Sequence, residues 1–374
     1  MVWWYNNDDM EIRSIELSNF RNYNNQKVAL GPHLNIFVGN NAQGKTNMLE
    51  GVFLCAIGKS PRTTKDKDMI KWDCLFAKIT LEVLKNPRQK KIELYLFANQ
   101  NKAIKIDGIG ISKIGELLGE FNAIYFSPDE LKLVKESPEE RRRFMDLSIS
   151  QFNKNYFYAL KKYNEILAQR NKLLKTSNNA KVVAQTIGIW NEQLATEGAK
   201  IIADRITFIN TIKKYANEAQ LYLTDEKENM ELSYVGMVAD DVQQIRQKLL
   251  EGYNESLDKD MSLGYTSIGP HRDDIKIVVG GIDIRHFGSQ GQQRTTALAL
   301  KLAELEVFNE NVGEYPVLLL DDVLSELDMD RQQKLLKRVS KIQTIITCTD
   351  FDFKKVACKK FYVKNGRIEN MVEV

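Results

Sequence analysis

Residues 34–57 read LNIFVGNNAQGKTNMLEGVFLCAI. A short apolar strand (34–38) enters a glycine-framed loop, GNNAQGKT (39–46), and leaves it as a helix with Met48, Leu49, Val52, Phe53 and Ala56 on an apolar face. Gly39 and Gly44 let the backbone wrap a phosphate, so the N–H groups of Asn40, Asn41, Ala42, Gln43 and Gly44 and the helix N-terminus can point inward. Lys45 is then placed to bridge the β- and γ-phosphates, and the Thr46 hydroxyl to coordinate Mg²⁺. The stretch predicts a nucleoside triphosphate site without saying what the energy is for.

Such a loop needs an acidic partner on a neighbouring strand, and PVLLLDDVLSELD (316–328) supplies one. Val317 to Leu320 form a continuous apolar run, as in a parallel strand buried on both faces. Asp321 then emerges at the strand's C-terminal end, where open α/β sheets bind ligands. There it can hold Mg²⁺ opposite Thr46, while Asp322 can orient or deprotonate an attacking water. Lys45, Asp321 and Asp322 are the candidate catalytic residues, and Thr46 and Asp321 the candidate metal ligands. Capping of the next helix is the alternative role for both aspartates. Ser325 to Asp328 fit either a cap or a subunit contact.

The 374 residues are 43% hydrophobic and 28% charged, enough for a sizeable core and two domains or lobes. Lysine and arginine total 53 against 50 aspartate and glutamate, so a nucleic-acid surface would have to come from local clustering. Four cysteines without a CxxC pair, and three histidines, offer no zinc spacing and suit buried thiols in a reducing compartment. MVWWYNNDDMEIRS (1–14) lacks a signal-peptide pattern and no run reaches membrane-span length. The expectation is a soluble cytoplasmic protein with no membrane contact.

From Met10 to about Gly119, β-like runs dominate (IRSIEL, HLNIFV, FAKITLEVL, KIELYLFA). From about Asn122 to Leu257 the pattern turns helical and charged, with Tyr156, Leu160, Tyr163, Leu167 and Leu174 recurring near the helical period. β-Runs return from about Gly264, around a helix at 292–308, with TIIT at 344–347 and a hairpin at Asn365-Gly366. This order predicts an α/β fold: one P-loop head built from both chain ends (1–120 and 259–374), with a mainly helical lobe (121–258) inserted. Sustained a/d heptads are lacking, so no long coiled coil is expected.

FGSQGQQR (287–294) opens the second helix, and its small polar residues suit an anion or a helix cap. Phosphate loop, serine-glutamine motif and acidic strand, in that order, resemble the ABC-type ATPase heads. Ser289 and Gly291 match the signature motif of that superfamily, and Ser325 to Asp328 its D-loop. NFRNY (19–23), GKSPRT (58–63), FSPDELKLVKESPEERRRFMD (126–146), LAQRNKLL (167–174) and GPHRDD (269–274) narrow the resemblance to the bacterial RecF family, from Met10 nearly to the end.

The resemblance implies a recombination-mediator ATPase that takes ATP and Mg²⁺ and dimerises on ATP. It implies binding to single- and double-stranded DNA at gap junctions, and work with RecR and, indirectly, RecO and RecA recombinase. Weak, DNA-stimulated hydrolysis would release it. Ser289, Gly291 and Gln292 would grip the γ-phosphate held by a second subunit. Arg21 and Asn22 would reach the nucleotide, Arg62 nucleotide or DNA, and Arg272, Asp273 and Asp274 would be structural or interlobe polar groups rather than catalytic. Residues 1–9 precede the family's usual start, and Pro61 stands where histidine is common. Asp322 replaces the glutamate of ABC transporters, and Thr347, Thr349 and Asp350 stand where a transporter has its switch histidine.

Three basic clusters are candidates for DNA, with solvated faces as the alternative. They are Lys85, Arg88, Lys90 and Lys91; Lys59, Arg62, Lys65, Lys67 and Lys71; and Lys154, Lys161, Lys162, Arg170, Lys172 and Lys175. The rival readings are a transporter subunit, an SMC-type head and a non-hydrolysing nucleotide sensor. The first would carry its signature closer to the loop, the second needs long coiled-coil arms, and the third differs only in whether Asp322 works.

Overall fold

The structure, a computed structural model, describes residues 10–85, 88–176, 180–349 and 357–373. The chain divides into two compact units, Met1–Leu131 with Leu300–Val374, and Lys132–Ala299. These breaks fall later than the boundaries of 120/121 and 258/259 expected from the sequence. Ala123–Phe126, assigned to the helical stretch, is a fully buried strand. Met230–Val235, also assigned there, is a strand as well, and it pairs with Asp274–Val279 inside the second unit.

The first unit holds two six-stranded sheets. In one, Lys359–Lys364, Leu34–Val38, Thr344–Cys348, Val317–Asp321 and Ala123–Phe126 run parallel in that order, and Arg367–Glu373 closes the edge antiparallel. Both ends of the chain thus meet in one sheet. Its central strands are buried along their whole length, which is why they read as unbroken apolar runs. The second sheet is antiparallel throughout, in the order Asn25–Ala29, Glu11–Ser18, Phe76–Lys85, Arg88–Phe97, Ala103–Ile106, Ile109–Ile111.

Helix Lys45–Ile57 packs against strands of both sheets. It is therefore buried on every side from Met48 to Ile57, rather than on the single face its pattern suggested. Gly51 is what permits this. A Cβ there would stand 2.9 Å from Leu17 Cδ2 of the antiparallel sheet, so the mid-helix glycine admits a close strand at some cost in helix propensity.

The second unit carries helices Pro138–Phe152, Lys154–Thr176, Ala180–Thr224, Val242–Glu255 and Leu257–Leu263. Met230–Val235, Asp274–Val279 and Ile282–Asp283 form its antiparallel sheet. On Lys154–Thr176 the buried stripe is Tyr156, Ala159, Tyr163, Ile166, Arg170 and Leu174, while Leu160 and Leu167 are half-buried. The seven-residue spacing of Tyr156, Tyr163 and Arg170 puts the arginine on the inner face. Arg170 Nη1 donates to Asp260 Oδ2 (2.7 Å) and Thr266 Oγ1 (2.8 Å), and Nε to Asn191 Oδ1 (2.8 Å). Its assignment to a DNA-facing cluster is thereby overturned.

Candidate functional site

Strand Leu34–Val38 delivers the glycine-framed loop to the C-terminal edge of the parallel sheet, and helix Lys45–Ile57 carries the chain away. Ala42 (φ 63°) and Gly44 (φ 116°) make the turn. A Cβ on Gly39 would lie 2.3 Å from the Val363 carbonyl oxygen, so that glycine is fixed by the neighbouring strand. Lys45 Nζ folds back to donate to the carbonyls of Gly39 (2.5 Å) and Asn40 (2.9 Å). Burial pulls its ammonium below the usual range, opposed by the charges of Asp322, Cys348 and Asp321.

Strand Thr344–Cys348 separates the loop strand from Val317–Asp321, and Asp321 collects three hydroxyl donors at the sheet edge. Thr46 Oγ1 (2.9 Å) and Thr347 Oγ1 (2.7 Å) donate to Oδ1, and the Tyr125 hydroxyl to Oδ2 (2.7 Å). Burial, and then the Asp321 charge, push the Tyr125 hydroxyl far above its ordinary pKa, so it serves as a fixed donor. Asp322 adopts φ 54°, with its N–H donating to Thr347 Oγ1 (3.0 Å) and the Thr347 carbonyl (3.2 Å). Its Oδ1 is buried with no hydrogen-bond partner, and burial raises its pKa. A buried acceptor with spare capacity and raised basicity can take a proton from a water. Asp321 and Thr46 offer only hard oxygen ligands, the set Mg²⁺ favours when phosphate and water complete its shell.

A further layer shapes the loop. Gln43 O accepts from Asn22 Nδ2 (2.9 Å) and the Gly366 N–H (2.9 Å), and Gln43 Oε1 accepts from the Asn365 N–H (2.7 Å). The Asn365-Gly366 turn (φ 49° and 69°) is the expected hairpin, and its tip rests on the loop. Arg21 grips Glu50 with Nε (2.8 Å) and Nη2 (2.6 Å) and donates from Nη1 to Asp68 O (2.7 Å). Arg62 Nη1 donates to Asn47 Oδ1 (2.9 Å) and reaches Glu50 at 3.4 Å, where Ser60 also binds (2.6 Å). In this structure Arg21, Asn22 and Arg62 are thus engaged with the protein itself. The sequence singled out neither Tyr125 nor Glu50, and named Thr347 only as a candidate at the switch-histidine position, not as a partner of Asp321.

Ser289, Gly291 and Gln292 lie in the second unit. Ser289 caps helix Gln290–Val312. Its Oγ accepts from the Gln292 N–H (3.2 Å), and its own N–H donates to Gln292 Oε1 (2.9 Å), a reciprocal capping box. Gln292 Nε2 donates to Glu228 Oε1 (2.8 Å). Open space surrounds the position a Cβ would take on Gly291, so nothing near it in this chain demands glycine there. Of the basic candidates, Lys85 donates to Gly119 O (3.1 Å), Lys90 pairs with Glu120, and Lys162 pairs with Glu197 (2.8 Å). Lys59, Lys65 and Lys67 are exposed. Residues 1–9 and Asp350 lie outside the described residues. No helix among the described residues is long and apolar enough to cross a membrane.

The family described as RecF/RecN/SMC N terminal domain matches residues 11–368. The chain is 44% identical over 364 residues to the DNA replication and repair protein RecF of Clostridium perfringens (strain SM101 / Type A), covering 96% of this chain and 100% of that one. It is 45% identical over 363 residues to the protein of the same description from Clostridium acetobutylicum, covering 96% and 99%. The solved structure of the recombination mediator protein RecF-ATPrS in the RecFOR pathway matches with a TM-score of 0.89 and 37% identity, over 97% of this chain and 98% of that one. An Smc head bound to the C-winged helix domain of ScpA shares the fold, at TM-score 0.58 and 16% identity over 97% of each chain. The fold is that of the SMC- and ABC-type ATPase heads.

Proposed function

The chain belongs to the RecF family of DNA replication and repair proteins, and on that premise we propose that it is an ATP-dependent DNA-binding protein acting at gap junctions in recombinational repair. It dimerises on ATP, helps RecR and RecO place RecA recombinase, and lets go after slow, DNA-stimulated hydrolysis. The observation that carries this reading is the Thr46 Oγ1–Asp321 Oδ1 bond of 2.9 Å, joining residues 275 apart in the chain beside Lys45 and the unpartnered Asp322 Oδ1. A site for a metal-bound triphosphate uses this group of residues together, which supports the reading.

Lys45 leaves its loop carbonyls to hold the β- and γ-phosphates, and the amides from Asn40 to Gly44 wrap them. Mg²⁺ bound by Thr46 and Asp321 supplies charge neutralisation when present. Asp322 takes the proton of the attacking water. Ser289, with the Gly291 and Gln292 amides, closes over a nucleotide carried by a second copy; the open space over Gly291 supports this. Each ATP then belongs to both chains, and loss of the terminal phosphate separates them.

Mass measurement by light scattering with and without ATP tests the reading. The expected result is a monomer that doubles in mass with ATP, and a Ser289→Arg variant that binds ATP yet stays monomeric. Asp322→Asn is expected to keep the ATP-bound dimer and hydrolyse on the order of 100-fold more slowly. A wild-type chain that is monomeric in ATP would remove the shared-nucleotide account.

A further inference from the structure

Three loops of the first unit, 19–25, 70–76 and 97–102, meet at one end of the antiparallel sheet around a turn that the unit leaves uncovered. Trp72 is 91% exposed, Leu75 76% and Phe76 45%. The backbone beneath them is pinned on several sides. The Lys71 N–H donates to Asn19 O (2.8 Å), the Cys74 N–H closes the turn onto Lys71 O (3.1 Å), and the Ala98 N–H donates to Leu75 O (3.0 Å). Asp73 holds φ 64° between them. Two large apolar side chains presented to water on a fixed turn, with Phe76 half-exposed beside them, add little to the core and mark a surface that meets something else.

The fringe says what. Asn24, Asn25, Asn99, Gln100 and Asn101 are exposed amides around the turn. Lys65 and Lys67 are exposed and make no ion pair among the described residues, whereas Asp66 is paired with Lys102 (3.0 Å) and Asp68 accepts from Thr63 (3.0 Å). An exposed aromatic ring on a turn edged by amides, with exposed ammonium groups on the segment leading into it, suits a base face with its phosphate and edge groups, and apolar wedges beside it suit a broken base stack. Arg21 also links the segment just before this turn to the helix that follows the nucleotide loop. Held to Glu50 on that helix, Arg21 donates its backbone N–H to Met69 O (2.8 Å) and Nη1 to Asp68 O (2.7 Å), just ahead of Trp72.

We propose that Trp72, wedged by Leu75 and Phe76, stacks on the exposed base at a junction between single- and double-stranded DNA. Junction preference then resides in this turn, and Arg21 ties its placement to the nucleotide site. The inference rests on the DNA-binding reading given above.

The test is fluorescence anisotropy with ATP on a gapped duplex and on a continuous duplex of equal length. Trp72→Ala is expected to weaken gapped-DNA binding about 10- to 100-fold while leaving continuous duplex and ATP affinity unchanged. Trp72→Phe is expected to restore most of the loss, and 2-aminopurine at the junction to be quenched by the wild-type chain but not by Trp72→Ala. Full junction preference in Trp72→Ala overturns this inference alone and gives the surface to a protein partner. Equal loss on both DNAs overturns it too, because the ring would then support duplex binding in general. No DNA binding by the wild-type chain overturns both this inference and the reading beneath it.

Discussion

The Asp321 set of the first unit and the Arg205 set of the second are made of the same materials: carboxylates, tyrosines and a long cation, all largely buried. They differ in what is left over. Arg205 spends Nε on Tyr156 (3.0 Å), Nη1 on Pro270 O (2.6 Å) and Nη2 on Asp146 (2.7 Å), and Tyr156 in turn donates to Asp146. Nearby, His271 Nε2 faces Thr266 O (3.0 Å) and must carry the proton, so Nδ1 accepts from Tyr163 (2.7 Å). Burial pulls His271 down to about 4 and pushes Asp273 up to about 6. Shifts of that size can indicate chemistry; here they accompany groups already hydrogen-bonded within the unit, His271 through both ring nitrogens and Asp273 to Tyr234. In the Asp321 set, Lys45 sits on carbonyls it can leave, and Asp322 Oδ1 has no partner. Spare hydrogen-bonding capacity, more than perturbed titration, separates a ligand site from a brace.

That contrast can be broken by experiment. Arg205→Ala takes the cation from a half-buried carboxylate and a donor from a carbonyl, and should cost about 3 kcal/mol in urea denaturation while nucleotide affinity stays put. A loss under about 1 kcal/mol would show that the set is not a brace. Lys45→Ala should do the reverse. ATP binding, followed with a fluorescent analogue, should fall on the order of 100-fold or about 3 kcal/mol, with the denaturation midpoint within about 1 kcal/mol of wild type.

The pH dependence sharpens the comparison. Asp273 is raised from 3.8 to about 6, so its contribution to stability is complete below the lower value and lost as pH rises through the upper. His271 is lowered from 6.5 to about 4, so its contribution is complete above 6.5 and lost as pH falls through about 4. Between pH 4 and 6 the two oppose each other, and stability is expected to be nearly flat. Asp273→Asn removes one side, and the midpoint should then climb from pH 4 to 6.5 by about 2 kcal/mol; a flat profile in that variant would contradict the assignment. The smallest effect belongs to Tyr125→Phe. Deleting one of three donors to Asp321 should cost about 1 kcal/mol of stability and slow hydrolysis less than about 10-fold.

The loop and its acidic strand were legible because each is a contiguous pattern whose residue types follow from the ligand's charge. Tyr125 and Thr347 were not, because they reach Asp321 from strands flanking its own on either side, and such pairing leaves no local trace. Met230–Val235 alternates buried and exposed positions at its start, yet it stood in a long helical stretch that masked the period of two. Arg170 was read by charge, when its spacing from Tyr156 and Tyr163 had already assigned it to the inner face. GPHRDD is expected to be structural or interlobe, and its Asp274 takes Arg141 through both oxygens (2.5 and 3.0 Å). Trp72 stood outside every motif, and only its exposure singles it out.

The bonds from Asn365 and Gly366 to Gln43 join the fortieth residues of the chain to its last hairpin. During synthesis the loop emerges well before residues 365 and 366, and lacks these two supports until they have been made. A fragment that stops short of the hairpin therefore carries the motif without the two backbone donors that hold Gln43 in place.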